Sequence, residues 1–226
     1  MSNKKYYSKS VKRKVDTYHH GDLRKALIAS ALKLADEGND WTFSLRKVAR
    51  RAGVSHNAPY MHFAHKRDLL AAAATVGHNL LRQELVAAVA KIADPRTSFL
   101  RMGSAYVKFG TTNPALYRLM FCASLSGPDW RSEEVLAAGL ATRAILEDIL
   151  RRGARSGVFV PALTRKPALQ TTILHAWATA HGLTMLAIDG LANVEHLPME
   201  LVAEKTVKTM FRSLVEKKRS VNGSKI

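Results

Sequence analysis

The sequence lacks the features that mark secreted proteins and β-sheet proteins. It has a single cysteine, Cys122, among 226 residues, so no disulfide can form within the chain. No charged and then apolar leader precedes a small-residue cleavage site, and no alternation of apolar and polar residues is bounded by hairpin turns. These absences favour a cytoplasmic protein without a β-sheet.

Acidic residues are also scarce. The chain has 35 Lys and Arg against 18 Asp and Glu, a formal net charge of +17, which favours an anionic partner. Residues 1–66 carry fourteen basic and five acidic groups, and six of the basic groups lie within residues 1–14, where there is no acid and no apolar periodicity. We predict a disordered basic arm over residues 1–17 and a basic tail over 217–226. A purely solubilising role for the arm is the alternative.

The longest uncharged stretch runs from Ala168 to Ile188, which is the length of a membrane span. It contains Gln170, His175, His181 and four threonines, which are unfavourable inside a bilayer. We therefore predict a buried helix of a soluble protein and no membrane contact.

Apolar residues recur at helical spacing along the chain, which predicts an all-α fold. The apolar face of a first helix consists of Leu23, Leu27, Ala31 and Leu34. Gly38 supplies a stop signal for this helix. Further helices are predicted over 44–52, 66 to about 92, 166–189 and about 199–216.

The segment from Ser44 to Phe63 has the arrangement of a helix-turn-helix, a motif that lays its second helix in the major groove of DNA. Ser44 is a suitable N-cap for the first helix, and Gly53 follows where the chain needs a positive φ. Ser55 is the predicted N-cap of the second helix. Pro59 is its fourth residue, and we expect the helix to persist in a distorted form. Similar turns also occur in proteins that bind no DNA.

Three sequence patterns in this region resemble one protein family. They are Ser44-Leu-Arg-x-Val-Ala-x-x-Ala-Gly-Val-Ser, Tyr60-x-His62-Phe63 and Lys66-x-x-Leu69-Leu70. Over about residues 18–70 the chain resembles the DNA-binding domain of the tetracycline-repressor (TetR/AcrR) family of bacterial regulators. Tyr18-His-His-Gly-Asp-Leu-Arg24 and Trp177-Ala-Thr-Ala-His181-Gly182 are similar to a branch with a Trp-His-Gly signature in its C-terminal domain.

The resemblance implies a DNA-binding domain over residues 18–65 and a helical regulatory and dimerisation domain over 66–216. Implied base contacts come from Arg46, Ser55, His56, Asn57 and Ala58. Implied phosphate contacts come from Ser44, Tyr60, His62 and Lys66. Among the base contacts, Asn57 suits the N6 and N7 atoms of adenine. The DNA would be a pseudo-palindromic operator, because the two recognition helices of a homodimer read two symmetric half-sites.

The C-terminal part of the chain is rich in aromatic residues and methionine. Such residues line either a packed core or an apolar ligand cavity, and the sequence leaves both open. The family's arrangement favours a cavity for a small apolar effector, with Tyr106, Trp130 and His181 as its polar groups. The candidate lining residues are Tyr106, Phe109, Met120, Phe121, Trp130, Trp177, His181 and Met185.

The C-terminal helices also predict a homodimer. The helix over 166–189 is apolar on nearly every face, so it must be covered on all sides. A second copy of the chain covers it when the two copies close a four-helix bundle.

No pattern in the sequence indicates catalysis. We find no nucleophile elbow, phosphate loop, paired carboxylates or clustered metal ligands, so we expect no enzyme, no cofactor and no metal. The sequence therefore predicts a dimeric transcriptional regulator that binds a specific DNA sequence, most simply a repressor released by a small apolar ligand. Two alternatives stay open: a sequence-neutral DNA-packaging protein, supported by the charge, and an enzyme with an apolar substrate pocket.

Overall fold

A computed structural model describes residues 20–122, 132–192 and 197–215 of the chain. Within these ranges the chain forms eight α-helices, two short 3-10 helices and no strand, which confirms the all-α prediction. The α-helices are α1 (His20–Gly38), α2 (Leu45–Ala52), α3 (Lys66–Val89), α4 (Pro95–Thr112), α5 (Pro114–Met120), α6 (Glu133–Arg155), α7 (Lys166–Ile188) and α8 (Met199–Leu214). The 3-10 helices are Ala58–Met61 and Pro161–Thr164. No helix in the described part of the chain has the length and apolar character to cross a membrane.

The chain divides into two compact units. The first unit consists of the chain up to Gln83 together with Phe109–Thr142. The second unit consists of Glu84–Lys108 together with the chain from Arg143 onward. Helices α3, α4 and α6 therefore each contribute residues to both units.

In the first unit, the predicted apolar face of α1 is buried. Leu27 and Ala31 are completely inaccessible to solvent, and Leu23 and Leu34 are also buried. The predicted stop at Gly38 is wrong in detail, because Gly38 still belongs to α1 and the next residue, Asn39, takes the left-handed conformation with φ 51°. Asparagine tolerates this region better than most side chains, so it ends the helix where glycine was expected to do so.

Helix α5 packs closely on α3 within the same unit. A Cβ atom at Gly77 would lie 2.7 Å from the sulfur of Met120 and 2.9 Å from a methyl group of Leu116. A side chain at position 77 would displace the Met120 and Leu116 side chains, so this glycine permits the close approach of the two helices.

Helix α3 ends at Val89, earlier than the predicted end near Ile92. Lys91 has a positive φ of 62°, which reverses the chain before α4. Asp94 then begins α4, because its carboxylate accepts a hydrogen bond from the backbone N–H of Thr97 at 3.0 Å. The hydrogen bonds from the Thr97 hydroxyl and backbone hold the pKa of Asp94 below its usual value.

The core of the second unit contains three phenylalanine rings, Phe99, Phe159 and Phe211, whose centroids lie 5.8 to 6.3 Å apart. Gly153 on α6 packs against this cluster, since a Cβ atom there would lie only 1.9 Å from the ring of Phe159. The backbone N–H of Val160 donates to the carbonyl of Leu214 at 2.9 Å, which joins the segment after α6 to the end of α8.

Candidate nucleic-acid interface

Helix α2 is held at both ends by its capping residues. The Ser44 hydroxyl accepts a hydrogen bond from the backbone N–H of Lys47 at 3.3 Å, as an N-cap serine does. At the other end Gly53 has φ 71°, and the next residue, Val54, donates its N–H to the carbonyl of Ala49 at 3.1 Å. Both predicted caps are confirmed. This part of the chain is therefore determined by local signals.

One face of α2 packs inside the first unit and the other face is cationic. Leu45, Val48 and Ala49 are buried, whereas Arg46, Lys47 and Arg50 are exposed. A fourth basic side chain, Arg51, forms a bidentate ion pair with Glu37 at the end of α1, with N–O distances of 2.6 and 2.7 Å. The exposed cations are therefore available for phosphate groups, while Arg51 joins α2 to α1.

The predicted second helix of the motif is wrong in form. Ser55 is not its N-cap: residues 55–57 make a turn, and a 3-10 helix of four residues begins at Ala58 with Asn57 in the N-cap position. Pro59 has no N–H and disfavours helical geometry at the residue before it, so the chain adopts the tighter turn that needs bonds between residues three apart. The element packs against α2 and buries Pro59.

The candidate base-contacting residues lie in this turn and at the start of α2. Arg46, Ser55, His56 and Asn57 are exposed, and Ala58 is half-buried. The side chain of Asn57 makes no capping hydrogen bond to the 3-10 helix. Its amide therefore keeps a donor and an acceptor for other groups, as bidentate contact with adenine requires.

The candidate phosphate contacts differ in how much they are exposed. Ser44 and Tyr60 are exposed, with Tyr60 at 52%, whereas His62 is half-buried against the ring of Phe63. Lys66 is also half-buried, because its ammonium donates to the carbonyl of Trp41 at 2.5 Å and lies 5.4 Å from the Phe43 ring centre. This partial burial lowers the pKa of Lys66. In this structure Lys66 binds the loop before α2, and its phosphate contact stays a prediction.

An open cleft of about 510 Å³ lies beside α2. Its lining residues are Leu34, Glu37, Gly38, Asp40, Thr42, Phe43, Lys47, Arg50 and Arg51. It contains none of the residues that the sequence predicts for the apolar effector. Hydrogen bonds from Thr42 lower the pKa of Asp40, so this carboxyl is ionised and the cleft carries charges of both signs.

The predicted effector residues are distributed over both units. Phe109, Met120 and Phe121 belong to the first unit, and Tyr106, Trp177, His181 and Met185 belong to the second. Trp130 lies outside the described residues. In the second unit the indole N–H of Trp177 donates to the Tyr106 hydroxyl at 3.1 Å, and the Trp177 and His181 rings lie 5.7 Å apart. Partial burial lowers the pKa of His181.

Two residues of the first unit were missed by the sequence analysis. Trp41, in the loop between α1 and α2, donates its indole N–H to the carbonyl of Ala115 on α5 at 2.9 Å. His78 lies in the middle of α3 and is buried, where the apolar pattern indicated only core packing. No local signal identifies the partner of Trp41, since the partner is 74 residues away. The one sequence feature that could have identified His78 is its position within the apolar stripe of α3.

Two protein-family models match different parts of the chain. The model described as bacterial regulatory proteins, tetR family, matches residues 27–73, and the model described as tetracyclin repressor-like, C-terminal domain, matches residues 99–210. No curated protein sequence gives a significant match. Among the described residues, no His, Cys, Asp and Glu side chains are grouped as metal ligands.

Solved structures show the same fold over most of the chain. A protein of unknown function from Rhodococcus sp. RHA1 is 30% identical, with a TM-score of 0.76, and the match covers 89% of this chain and 100% of that one. A TetR family transcription regulator from Marinobacter aquaeolei VT8 is 18% identical, with a TM-score of 0.63 and coverage of 87% and 97%. The TetR family transcriptional regulator PfmR from Thermus thermophilus is 23% identical, with a TM-score of 0.62 and coverage of 84% and 99%.

The matched residues include the capped helix α2, the turn at Gly53 and the 3-10 helix that follows it. The second model covers most of the remaining helices, from α4 into α8. The chain therefore belongs to the TetR family of bacterial transcriptional regulators.

Proposed function

We propose that the protein is a homodimeric regulator that binds a specific pseudo-palindromic operator, and that it acts as a repressor released by a small apolar ligand. The observation that carries this proposal is the exposed turn at Ser55, His56 and Asn57, which follows a helix with an exposed cationic face. Side chains in a turn backed by a capped helix are presented rigidly, which is what reading base edges requires.

Base contacts and phosphate contacts have different tasks in this proposal. Ser55, His56 and Asn57 are proposed to read base edges, with Arg46 reaching a guanine or a phosphate. Ser44 and Tyr60 are proposed to bind phosphates, because hydroxyl groups and helix N-termini are common phosphate ligands. These phosphate contacts would set the affinity and the register of the protein on DNA.

A second copy of the chain is the proposed partner of α7. The buried face of this helix includes Leu169, Ile173 and Ala176, yet Leu174, Trp177 and Leu186 are exposed. Gly182 lies on the same helix, and a Cβ atom there would meet nothing within 4 Å. An exposed apolar helix that also contains small residues can approach another helix closely, as dimer interfaces in helical bundles do. Two copies would place two reading turns, each formed by residues 55–57, on one DNA duplex.

Phe109, Met120 and Phe121, the residues named from the sequence that belong to the first unit, are the proposed lining of the effector site. An effector weakens DNA binding only as far as it prefers the conformation that does not bind DNA. A hundredfold loss of affinity requires roughly 2.7 kcal/mol of coupling, and DNA must weaken effector binding by the same factor.

Selection from a random duplex pool with the full-length protein tests the function. We expect a pseudo-palindromic consensus that binds at least about a thousandfold more tightly than scrambled duplex. The affinity should fall with salt by a log–log slope of about 0.9 for each phosphate neutralised. A specificity ratio near one would contradict the proposal and would indicate a sequence-neutral packaging protein.

A further inference from the structure

A histidine in the core of the first unit has a ring nitrogen without a hydrogen bond to the described part of the chain. This atom is Nδ1 of His78, which has no hydrogen-bond partner among the described residues. His78 is only 6% exposed, so solvent does not satisfy this atom. Buried polar atoms are nearly always hydrogen-bonded, so this exception needs an explanation, and a group that enters from outside the chain supplies one.

The protonation of Nδ1 follows from the hydrogen bond made by the other ring nitrogen, Nε2. The backbone of Met120, at the end of α5, forms a hydrogen bond with the His78 imidazole. This bond must use Nε2, since Nδ1 has no partner, so the Met120 carbonyl accepts the Nε2 proton. Burial lowers the pKa of His78 by more than this bond raises it, and the ring is neutral at pH 7. Nδ1 is therefore a hydrogen-bond acceptor.

The surroundings of His78 are aromatic and apolar. The Phe121 ring lies edge-on to the imidazole with centroids 5.5 Å apart, and the Tyr117 and Phe121 rings are 4.8 Å apart. On α6, a Cβ atom at Gly139 would lie 3.6 Å from Cε1 and 3.9 Å from Nδ1, so the glycine leaves the space of a methyl group beside the imidazole.

The Thr142 side chain on α6 does not supply a donor to Nδ1. The Thr142 hydroxyl lies 3.0 Å from the carbonyl of Ala138 and 3.3 Å from the carbonyl of His78. Its single proton is therefore used by main-chain acceptors. The three helices that meet at His78 thus provide one unused acceptor among aromatic and small residues.

We propose that Nδ1 of His78 accepts a hydrogen bond from the effector, which is a small uncharged ring compound with one O–H or N–H donor. This inference rests on the proposed ligand-released function and assigns the chemical class of the ligand. A carboxylate fits poorly, because it offers acceptors to an acceptor. Tyr106, which was expected to be a polar group of the site, already binds Trp177.

The location also connects this atom to the DNA-binding elements within the first unit. His78 lies on α3, whose first residue, Lys66, binds the loop before α2. Its partner Met120 ends α5, and near the other end of α5 Ala115 binds Trp41 of the same loop. A ligand that repositions α5 against His78 would therefore act on the loop from two sides.

Phenol and anisole, which differ by one donor proton, test the proposal on the full-length protein. We expect phenol to bind about tenfold more tightly by calorimetry, since only phenol donates to Nδ1. In ¹⁵N-histidine spectra the Nδ1 resonance of His78 should move with phenol and stay in place with anisole. His78→Phe should abolish the difference between the two probes, and the control His65→Phe, at an exposed histidine, should retain it.

Equal affinity of phenol and anisole for the wild type would overturn the proposal, as would the absence of binding by both. A Nδ1 resonance that is already hydrogen-bonded in the free protein and unchanged by phenol would assign the site to a water molecule. If His78→Phe does not fold, the two probes on the wild type still decide. DNA affinity and specificity measured without either probe test the proposed function separately.

Discussion

Helices α2 and α7 each bury one face and leave the other uncovered, but the uncovered faces differ in chemistry. On α2 the exposed side chains include Arg46, Lys47 and Arg50. On α7 they include Leu174, at 57% exposed, and Trp177, at 44%. Exposed cations are favourably hydrated in the free protein, whereas the contact of large apolar side chains with water is unfavourable in free energy. The comparison indicates a polyanion as the partner of α2 and an apolar surface as the partner of α7.

The two helices also differ in what stabilises them. Helix α2 is eight residues long and is stabilised by the Ser44 and Gly53 caps. Helix α7 has 23 residues and no side-chain cap hydrogen bond at its N-terminus. A short helix needs its caps because few backbone hydrogen bonds hold it, while a long helix is held mainly by packing. The following changes test whether each uncovered face has the partner that its chemistry indicates.

The largest effect is expected from a charge on the apolar face of α7. Leu174→Glu should convert the dimer to a monomer, because the carboxylate would be buried without a partner in the interface. The affinity for a full pseudo-palindrome should then fall by about a hundredfold or more, as two linked half-site contacts become one. Sedimentation and fluorescence anisotropy measure the two effects.

Leu136→Glu on α6 is the matched control for this change. Leu136 is 49% exposed, so the same substitution is made at a similarly exposed leucine on another helix. We expect this variant to remain a dimer. If Leu174→Glu also remains a dimer with unchanged DNA affinity, α7 does not form the interface.

A smaller effect is expected at the reading turn. Asn57→Ala and His56→Ala should relax the preference at particular bases by about 1–3 kcal/mol. Tyr60→Phe and Lys66→Ala should weaken binding to all sequences to about the same degree, since phosphates carry no sequence information. Competition binding against single-base operator variants separates the two patterns.

Arg101→Ala serves as the control for the removal of a positive charge, because Arg101 is exposed on α4, away from the motif in the sequence. It should leave the sequence preference unchanged. The assignment of roles is wrong if Lys66→Ala changes the preferred sequence while Asn57→Ala does not.

The smallest effect is expected from residues 1–14, which lie outside the described residues. Deletion of their six basic groups should lower DNA affinity and reduce the salt slope by about 0.9 for each phosphate that the arm neutralises. Replacing the six residues with glutamine tests whether charge alone is responsible. An unchanged slope in both proteins would indicate that the arm only improves solubility.

The sequence predicted α2 correctly but not the element that follows it. Ser44 and Gly53 act within four residues of themselves, so the pattern contains their partners. Ser55 is a good N-cap by type, yet the turn places Asn57 in that position. The reason is the competition between a local capping preference and the demands of Pro59, which is buried and lacks an N–H.

The candidate effector site was less predictable than the reading turn. Composition identified aromatic and methionine residues, and most of those described are buried or half-buried. It did not show that Trp177 is 44% exposed or that its indole N–H binds Tyr106, which is 71 residues away. It also gave no reason to single out His78, because its Nδ1 is shielded from water and left without a partner only when α5 and α6 pack around α3.

The sequence by itself determined the all-α class, the buried stripe of α1, both caps of α2 and the cationic character of the reading region. Each of these depends on residues within one or two helical turns, or on composition, so no knowledge of distant neighbours is needed. The tertiary structure decided that Trp41 binds Ala115, that Lys66 binds Trp41 and that His78 is left with one unused acceptor. These contacts join residues far apart in the chain, and their geometry follows from how closely packed helices approach each other, as at Gly77.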